Sequence, residues 1–201
     1  KERVEELIGL FKLEEYAQTE IAKLSGGWQR RIHIAVGLVH SPALLVLDEP
    51  TAGLDVEARY DLWERIAELK RMGVTILLTT HQLEEAERLC SRIGILQEGR
   101  IVAQGSLEAL RAVVPAAEVA VVETEEEDAV CARAAAMGWV CRRYGGRLNL
   151  LMPTETTLGN CVDALHGIRL MSVALQPVRL EHVYMEVTRR DDMEFLECRE
   201  S

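Results

Sequence analysis

At 201 residues the chain is long enough for one large domain or two small ones, either with a real core. Apolar residues make up 48% and charged residues 28%, the balance of a globular protein, and with only 4% aromatic residues the core has to rest on Leu, Val, Ile and Ala. A formal net charge of −10 argues against a general nucleic-acid binder, which neutralises phosphates with clustered Lys and Arg, but leaves ATP binding open. The five cysteines, at 90, 131, 141, 161 and 198, show no C-x-x-C pair and no regular spacing. They are expected as free thiols in a reducing cytosol rather than as zinc ligands or a disulfide framework. No apolar stretch approaches the roughly 20 residues of a membrane helix, and no secretory leader pattern opens the chain. A cytosolic protein is expected, unless something else holds it at a membrane. The opening residue is Lys1 rather than Met, a hint that a segment is missing upstream.

In chain order, residues 1–16 carry Val4, Leu7, Ile8, Leu10 and Phe11 among charges and predict a short amphipathic helix. After Leu24-Ser25-Gly26-Gly27 the apolar spacing of Ile32, Ala35, Val36 and Val39 predicts a helix that stops at Ser41-Pro42. Residues 43–47 are a continuous apolar run, as in a strand buried on both faces of a parallel sheet. Residues 55–72 read as a helix ending at Gly73, 74–80 as a second apolar strand, 82–90 as a short helix, and 93–104 as a hairpin turning at Glu98-Gly99. Buried strands alternating with helices are the α/β pattern. Composition shifts near 113–117. Beyond it come a strand at 118–122, a helix at 125–137, strands at 139–144 and 147–152 around Gly145-Gly146, a helix at 154–166 and a strand at 169–175. That order, βαββαβ, is ferredoxin-like. A last helix, 178–188, precedes a polar tail expected to fray.

Three stretches carry chemistry. Ser25 can cap the helix after it, and Gly26 and Gly27 let a ligand approach backbone amides at a helix N-terminus, where a phosphate oxygen is favoured. An ordinary capped helix start accounts for the same residues. The run LLVLDEP, 44–50, delivers Asp48 and Glu49 at the carboxyl end of a strand, where ligands bind in open α/β sheets. Asp48 is placed to hold Mg²⁺ through water and Glu49 to orient or deprotonate an attacking water; a solvated turn is the bland alternative. His81 directly follows the second apolar strand, so parallel pairing brings it toward Glu49, where a neutral imidazole can hydrogen-bond a γ-phosphate or the attacking water. Alone, it reads as a surface histidine at a strand end.

Taken in order, LSGG at 24–27, LLVLDEP at 44–50, AGLD at 52–55 and TTH at 79–81 resemble the second half of an ATP-binding cassette (ABC) ATPase domain. The resemblance runs over about 1–111. It implies that Leu24, Ser25, Gly26 and Gly27 form the signature that contacts ATP, that Asp48 ends the Walker B strand and serves Mg²⁺, and that Glu49 is the catalytic base. Ala52 to Asp55 become the D-loop and His81 the switch histidine. RRIHIAVGLVHSPALLVLDEPTAGLD, TTHQLEEAERLCSRIGIL and the late LEHVYMEVT further resemble drug-resistance exporters of the daunorubicin type, several of which carry a small C-terminal domain.

The fold class implied is α/β: the C-terminal part of a P-loop ABC ATPase domain (parallel sheet with helices) at 1–112. It is followed by a small ferredoxin-like α+β domain at 113–188 and a flexible tail at 189–201. ATP and Mg²⁺ are the implied cofactors. The implied partners are a second ATP-binding subunit, paired head to tail, and an integral membrane permease that holds the protein at the cytoplasmic face of the membrane. No nucleic acid is implied. Two features depart from the family pattern. Trp28 stands where the signature often has Gln, a place where packing on neighbouring helices is expected. No Gly is followed by Lys, so the phosphate loop G-x-x-x-x-G-K-[ST] is lacking, and the chain is expected to be inactive by itself. Two other classes remain open: a non-catalytic interaction or dimerisation module derived from such an ATPase, and an ABC protein acting on ribosomes or DNA. The acidic run at 123–128 fits a solvated first helical turn, the histidines at 33, 40, 166 and 182 a surface or core setting, and Arg142, Arg143 and Arg147 a solvated hairpin tip rather than a small anionic site.

Overall fold

A computed structural model describes residues 1–189 and the short strand Leu196–Glu197. It divides into two compact units, Lys1–Cys90 and Ser91–Ser201.

The first unit begins with α1 (Glu2–Phe11), which buries Leu7 and Phe11. The helix expected to reach residue 16 stops at Phe11 because Lys12 turns left-handed (φ 54°), and a 3₁₀ turn, Glu14–Tyr16, takes over. A second 3₁₀ turn, Ile21–Lys23, leads into α2 (Gly26–Leu38). Then follow β1 (Leu44–Asp48), α3 (Val56–Arg71), β2 (Thr75–Thr79) and α4 (Leu83–Leu89). A crossover helix as long as α3 permits parallel pairing, and β1 and β2 pair in parallel from Leu44↔Thr75 to Asp48↔Thr79. The core is one cluster: Leu7 and Phe11 from α1, Ile34 and Leu38 from α2, Leu45 and Leu47 from β1, and Leu62, Trp63, Ile66 and Leu69 from α3. Each such side chain contributes about 2 kcal/mol through burial.

One expectation is corrected. β1 is not buried on both faces: Leu45 and Leu47 point into the helical core, but Leu44 is 51% and Val46 58% exposed, and Leu77 of β2 is 54% exposed. The physical reason is that the helical core covers only one side of the two-stranded ribbon among the described residues.

In the second unit β3 (Ile93–Gln97) and β4 (Arg100–Gly105) form the expected hairpin, with Glu98 and Gly99 both at positive φ (49° and 76°) as a tight two-residue turn requires. A short helix absent from the sequence reading, α5 (Leu107–Arg111), is capped by the Ser106 hydroxyl, which accepts from the Ala109 amide at 3.2 Å. Next come β5 (Glu118–Thr124), α6 (Glu127–Ala136), β6 (Val140–Tyr144), β7 (Arg147–Met152), α7 (Leu158–Ala164), β8 (Leu170–Pro177) and α8 (Leu180–Val187). The four strands β5 to β8 make an antiparallel sheet in the order β6-β7-β5-β8. Ala120, Val122, Leu148, Leu150 and Met152 pack on Val130 and Ala134 of α6 and on Cys161 and Leu165 of α7. Val119 and Leu151, cross-strand partners on the opposite face, are also fully buried. Because α5 packs on α8, the packing boundary at Cys90/Ser91 lies upstream of the composition shift near 113. Of the tail at 189–201, residues 190–195 and 198–201 lie outside the described residues, while the backbone of β9 (Leu196–Glu197) pairs in parallel with β4.

A second correction concerns the thiols. Cys131 on α6 and Cys141 on β6 are joined in a disulfide, their Cα atoms 5.6 Å apart; Cys90 and Cys161 are free. The two half-cystines stand 10 positions apart in the chain. Their meeting depends on how α6 docks beside β6, which spacing along the chain does not show. Cys198 lies outside the described residues.

Candidate active site

Parallel register carries Asp48 and Thr79 to the same end of β1 and β2, and the residues that follow them form the first cluster. The Thr79 hydroxyl donates to Asp48 Oδ1. Glu49 takes a left-handed conformation (φ 46°), a strained state for a residue with a side chain, and its amide donates to the Thr79 carbonyl at 2.9 Å. That turn sends the Glu49 carboxylate across to the end of β2. The His81 amide donates to Glu49 Oε1 at 2.9 Å, and His81 Nδ1 lies 2.8 Å from Glu49 Oε2. The imidazole is 74% exposed, so Nε2 faces a surface that a ligand can reach. Sequence reading paired Glu49 with His81 but overlooked Thr79, whose signal was its place one strand residue opposite Asp48.

The second cluster surrounds the start of α2. Ser25 occupies the N-cap position with extended backbone (φ −64°, ψ 159°), yet its hydroxyl makes no capping hydrogen bond. This corrects the expected side-chain cap and leaves the hydroxyl and the first-turn amides of α2 open to a ligand. Gly27 is required by close approach: a Cβ there meets the Ala58 Cβ at 3.2 Å, so α2 and α3 touch at this point. The Leu24 carbonyl accepts from Gln29 Nε2 at 2.9 Å. Asp55 caps α3, accepting from the Ala58 amide at 2.8 Å, a role that its position ahead of a helical run signals but that sequence reading did not assign. A depression lined by Ser25, Gly27, Trp28, Arg31, Asp55 and Asp61 opens between the two helix starts. Buried Arg31 bonds Asp61 at 2.8 Å and lies 4.3 Å from the Trp28 ring centre, while Tyr16 lies against the same ring at 4.4 Å. Trp28 therefore packs on its neighbours, as expected from its size.

Two separate groupings result. Ser25, Gly27 and Asp55 share the depression; Asp48, Glu49 and His81 share the strand ends and do not line it. Among the described residues no group of three or more His, Cys, Asp or Glu side chains is arranged to hold a metal. A hard cation fits Asp48 nonetheless, because Mg²⁺ bound beside phosphates uses one or two carboxylates and fills its other positions with water and phosphate oxygens.

A helix start with open amides, a strand-end Asp-Glu pair and a histidine whose amide bonds that Glu are the features expected of an ATP-binding cassette. Residues 1–52 match the family model described as ABC transporter, and the chain resembles the ATP-binding domains of that family. It is similar to the Nod factor export ATP-binding protein I of Cupriavidus metallidurans, at 35% identity over 190 residues, 94% of this chain and 62% of that protein. It is also similar to the proteins of that name from Burkholderia lata (50% identity over 107 residues, 53% of this chain and 35% of that one) and Rhizobium leguminosarum bv. viciae (52% over 104 residues, 52% and 33%). The chain thus spans less than two thirds of the length of these curated relatives. A solved ATP-binding cassette of an ABC transporter superposes with a TM-score of 0.50 at 28% identity, over 52% of this chain and 42% of that one. A nucleotide-free cassette from an ABC transporter gives 0.50 at 27%, over 52% and 42%.

Proposed function

We propose that the chain is part of the ATP-hydrolysing subunit of an exporter-type ABC transporter, and that Glu49 is its catalytic base. The observation that carries this reading is the Glu49–His81 pair at the open ends of β1 and β2, joined by a hydrogen bond of 2.9 Å from the His81 amide and by an approach of 2.8 Å between His81 Nδ1 and Glu49 Oε2. Glu49 takes a proton from a water as the water oxygen bonds to the γ-phosphorus and the bond to the ADP oxygen breaks. His81, held by Glu49, presents its second ring nitrogen to the γ-phosphate or to that water. Asp48 would hold Mg²⁺, which when bound would supply positive charge against the phosphate oxygens. Leu24, Ser25, Gly26 and Gly27 offer the hydroxyl and the open amides of α2 to an ATP held by a second ATP-binding subunit, with Asp55 beside them. The permease partner and the cytoplasmic face of the membrane follow from the exporter reading, which rests on the names of the relatives. Among the described residues no helix is long and apolar enough to cross a membrane. In this reading 1–112 is the ATPase portion and 113–188 is a ferredoxin-like accessory domain. Its support is the β–α–β–β–α–β order and the strand order β6-β7-β5-β8.

Without a phosphate loop the 201-residue chain is expected to show no ATP turnover. Joined to the phosphate-loop segment of a Nod factor export ATP-binding relative, it should turn over ATP, and Glu49→Gln should lower kcat by about 10²-fold or more. Turnover by the isolated chain that Glu49→Gln removes sinks the need for a supplied phosphate loop. Turnover in the chimera that survives Glu49→Gln sinks the assignment of the base.

A further inference from the structure

Beneath the Glu49–His81 pair lies a buried polar cluster that the proposed chemistry does not use. Glu85, on the first turn of α4, is 0% exposed. Its Oε1 accepts from the Thr51 hydroxyl at 2.8 Å and from the Trp63 indole N–H at 2.9 Å, while Oε2 is buried with no hydrogen-bond partner. Thr51, 1% exposed, also accepts from Gln82 Nε2 at 3.1 Å, and Gln82 Oε1 accepts from Arg59 at 3.2 Å. Three elements meet there: the turn after β1, helix α3, and the start of α4.

A carboxylate with an unused oxygen is an expensive way to fill a core, and an apolar side chain of similar size fills it more cheaply. What the carboxylate adds is direction: it fixes where Thr51 and α4 stand relative to each other. Thr51 lies two residues beyond Glu49, and Gln82 directly follows His81. The same two segments are therefore joined twice, once at the surface by Glu49 and His81 and once in the interior by Thr51, Gln82 and Glu85. The interior link braces a turn that needs bracing, because Glu49 is held at φ 46°.

We infer that Glu85 is a positioning residue: through Thr51 it holds the turn bearing Glu49 in register with the loop bearing His81. The catalytic meaning of that register rests on the ATPase reading above; the register itself does not. Glu85 touches no reacting atom and acts only through Thr51. Removing the link leaves the core packed but lets the Glu49 carboxylate drift from the His81 amide.

The test uses the whole 201-residue chain without nucleotide, so its outcome is separable from that of the turnover assay. Amide hydrogen exchange is measured at His81, which donates to Glu49, and at Leu77, which belongs to the β1–β2 ladder. Thr51→Val keeps the side-chain shape and removes the hydroxyl. It should speed exchange at His81 relative to Leu77 by about fivefold or more, and Thr51→Ser should restore the ratio to within about twofold of the unaltered protein. Glu85→Gln, which keeps an acceptor for both donors but brings a buried NH₂ without an acceptor, should raise the ratio less than Thr51→Val. An unchanged ratio in Thr51→Val overturns the inference. Equal acceleration at His81 and Leu77 also overturns it, since that is loss of stability without loss of register.

Discussion

Glu186 of α8 accepts two hydrogen bonds, from Tyr144 Oη at 2.6 Å and Arg142 Nε at 2.9 Å, and forms an ion pair with Arg189 at 3.5 Å. Burial pushes its carboxyl up, but the hydrogen bonds from Tyr144 and Arg142, with the charges of Arg142 and Arg189, outweigh burial and hold it below the ordinary 4.5. Tyr144 is pushed above its ordinary 10.0, by burial first and then by its bond to the Glu186 carboxylate. The signs follow by linkage. A depressed carboxyl contributes stability above its unfolded value, lost as pH falls through the folded one. A raised phenol contributes stability below its unfolded value, lost as pH rises past about 10, where the unfolded chain ionises first. Tyr144→Phe should cost about 1 kcal/mol at pH 7 and flatten the stability profile at both ends, as urea unfolding across pH can measure. An unchanged profile would refute the link. None of this was legible in the sequence. Arg142 and Arg143 read as a solvated hairpin tip, yet Arg142 pairs with Glu186 and Arg143 with Glu127. A partner 44 residues away leaves no local trace.

At the scale of elements, apolar runs and stop signals located most helices and strands, because burial on one face imposes a period on the sequence. The ends were less legible. α1 yields to a 3₁₀ turn where Lys12 turns left-handed, and α7 starts only at Leu158, where the Thr157 hydroxyl accepts from the Asn160 amide at 3.2 Å. Caps show what sequence can and cannot say. Ser25 and Asp55 both stand at helix starts, but Asp55 caps and Ser25 does not. Asp55→Ala should therefore cost about 1 kcal/mol of stability. Ser25→Ala should shift stability by less than about 0.5 kcal/mol while lowering turnover in the phosphate-loop chimera. Thermal melts of the two variants distinguish them, and equal destabilisation would show that the Ser25 hydroxyl does cap.

At the scale of the molecule, the order of motifs carried the family and the pairing of Glu49 with His81, since both follow from strand order and register. The disulfide and the packing boundary were out of reach, because each depends on how elements dock. Closing a loop of this size restrains the unfolded chain by about 3 kcal/mol, so Cys131→Ser with Cys141→Ser should destabilise the second unit by about that amount. Hydrogen exchange at Leu150 reports it, and exchange equal to that of the unaltered protein would mean that the bond adds nothing.

The uncovered side of the β1–β2 ribbon governs how the isolated chain behaves in a tube. Leu44, Val46 and Leu77 present adjoining greasy side chains to water, and a net charge of −10 at pH 7 opposes association between copies. That repulsion fades toward the isoelectric point near 5.1. Light scattering should rise with concentration, most steeply as pH approaches that value, and Val46→Thr with Leu77→Lys should quiet it. Colloidal restlessness of this kind would be the visible mark of a sheet with one naked side.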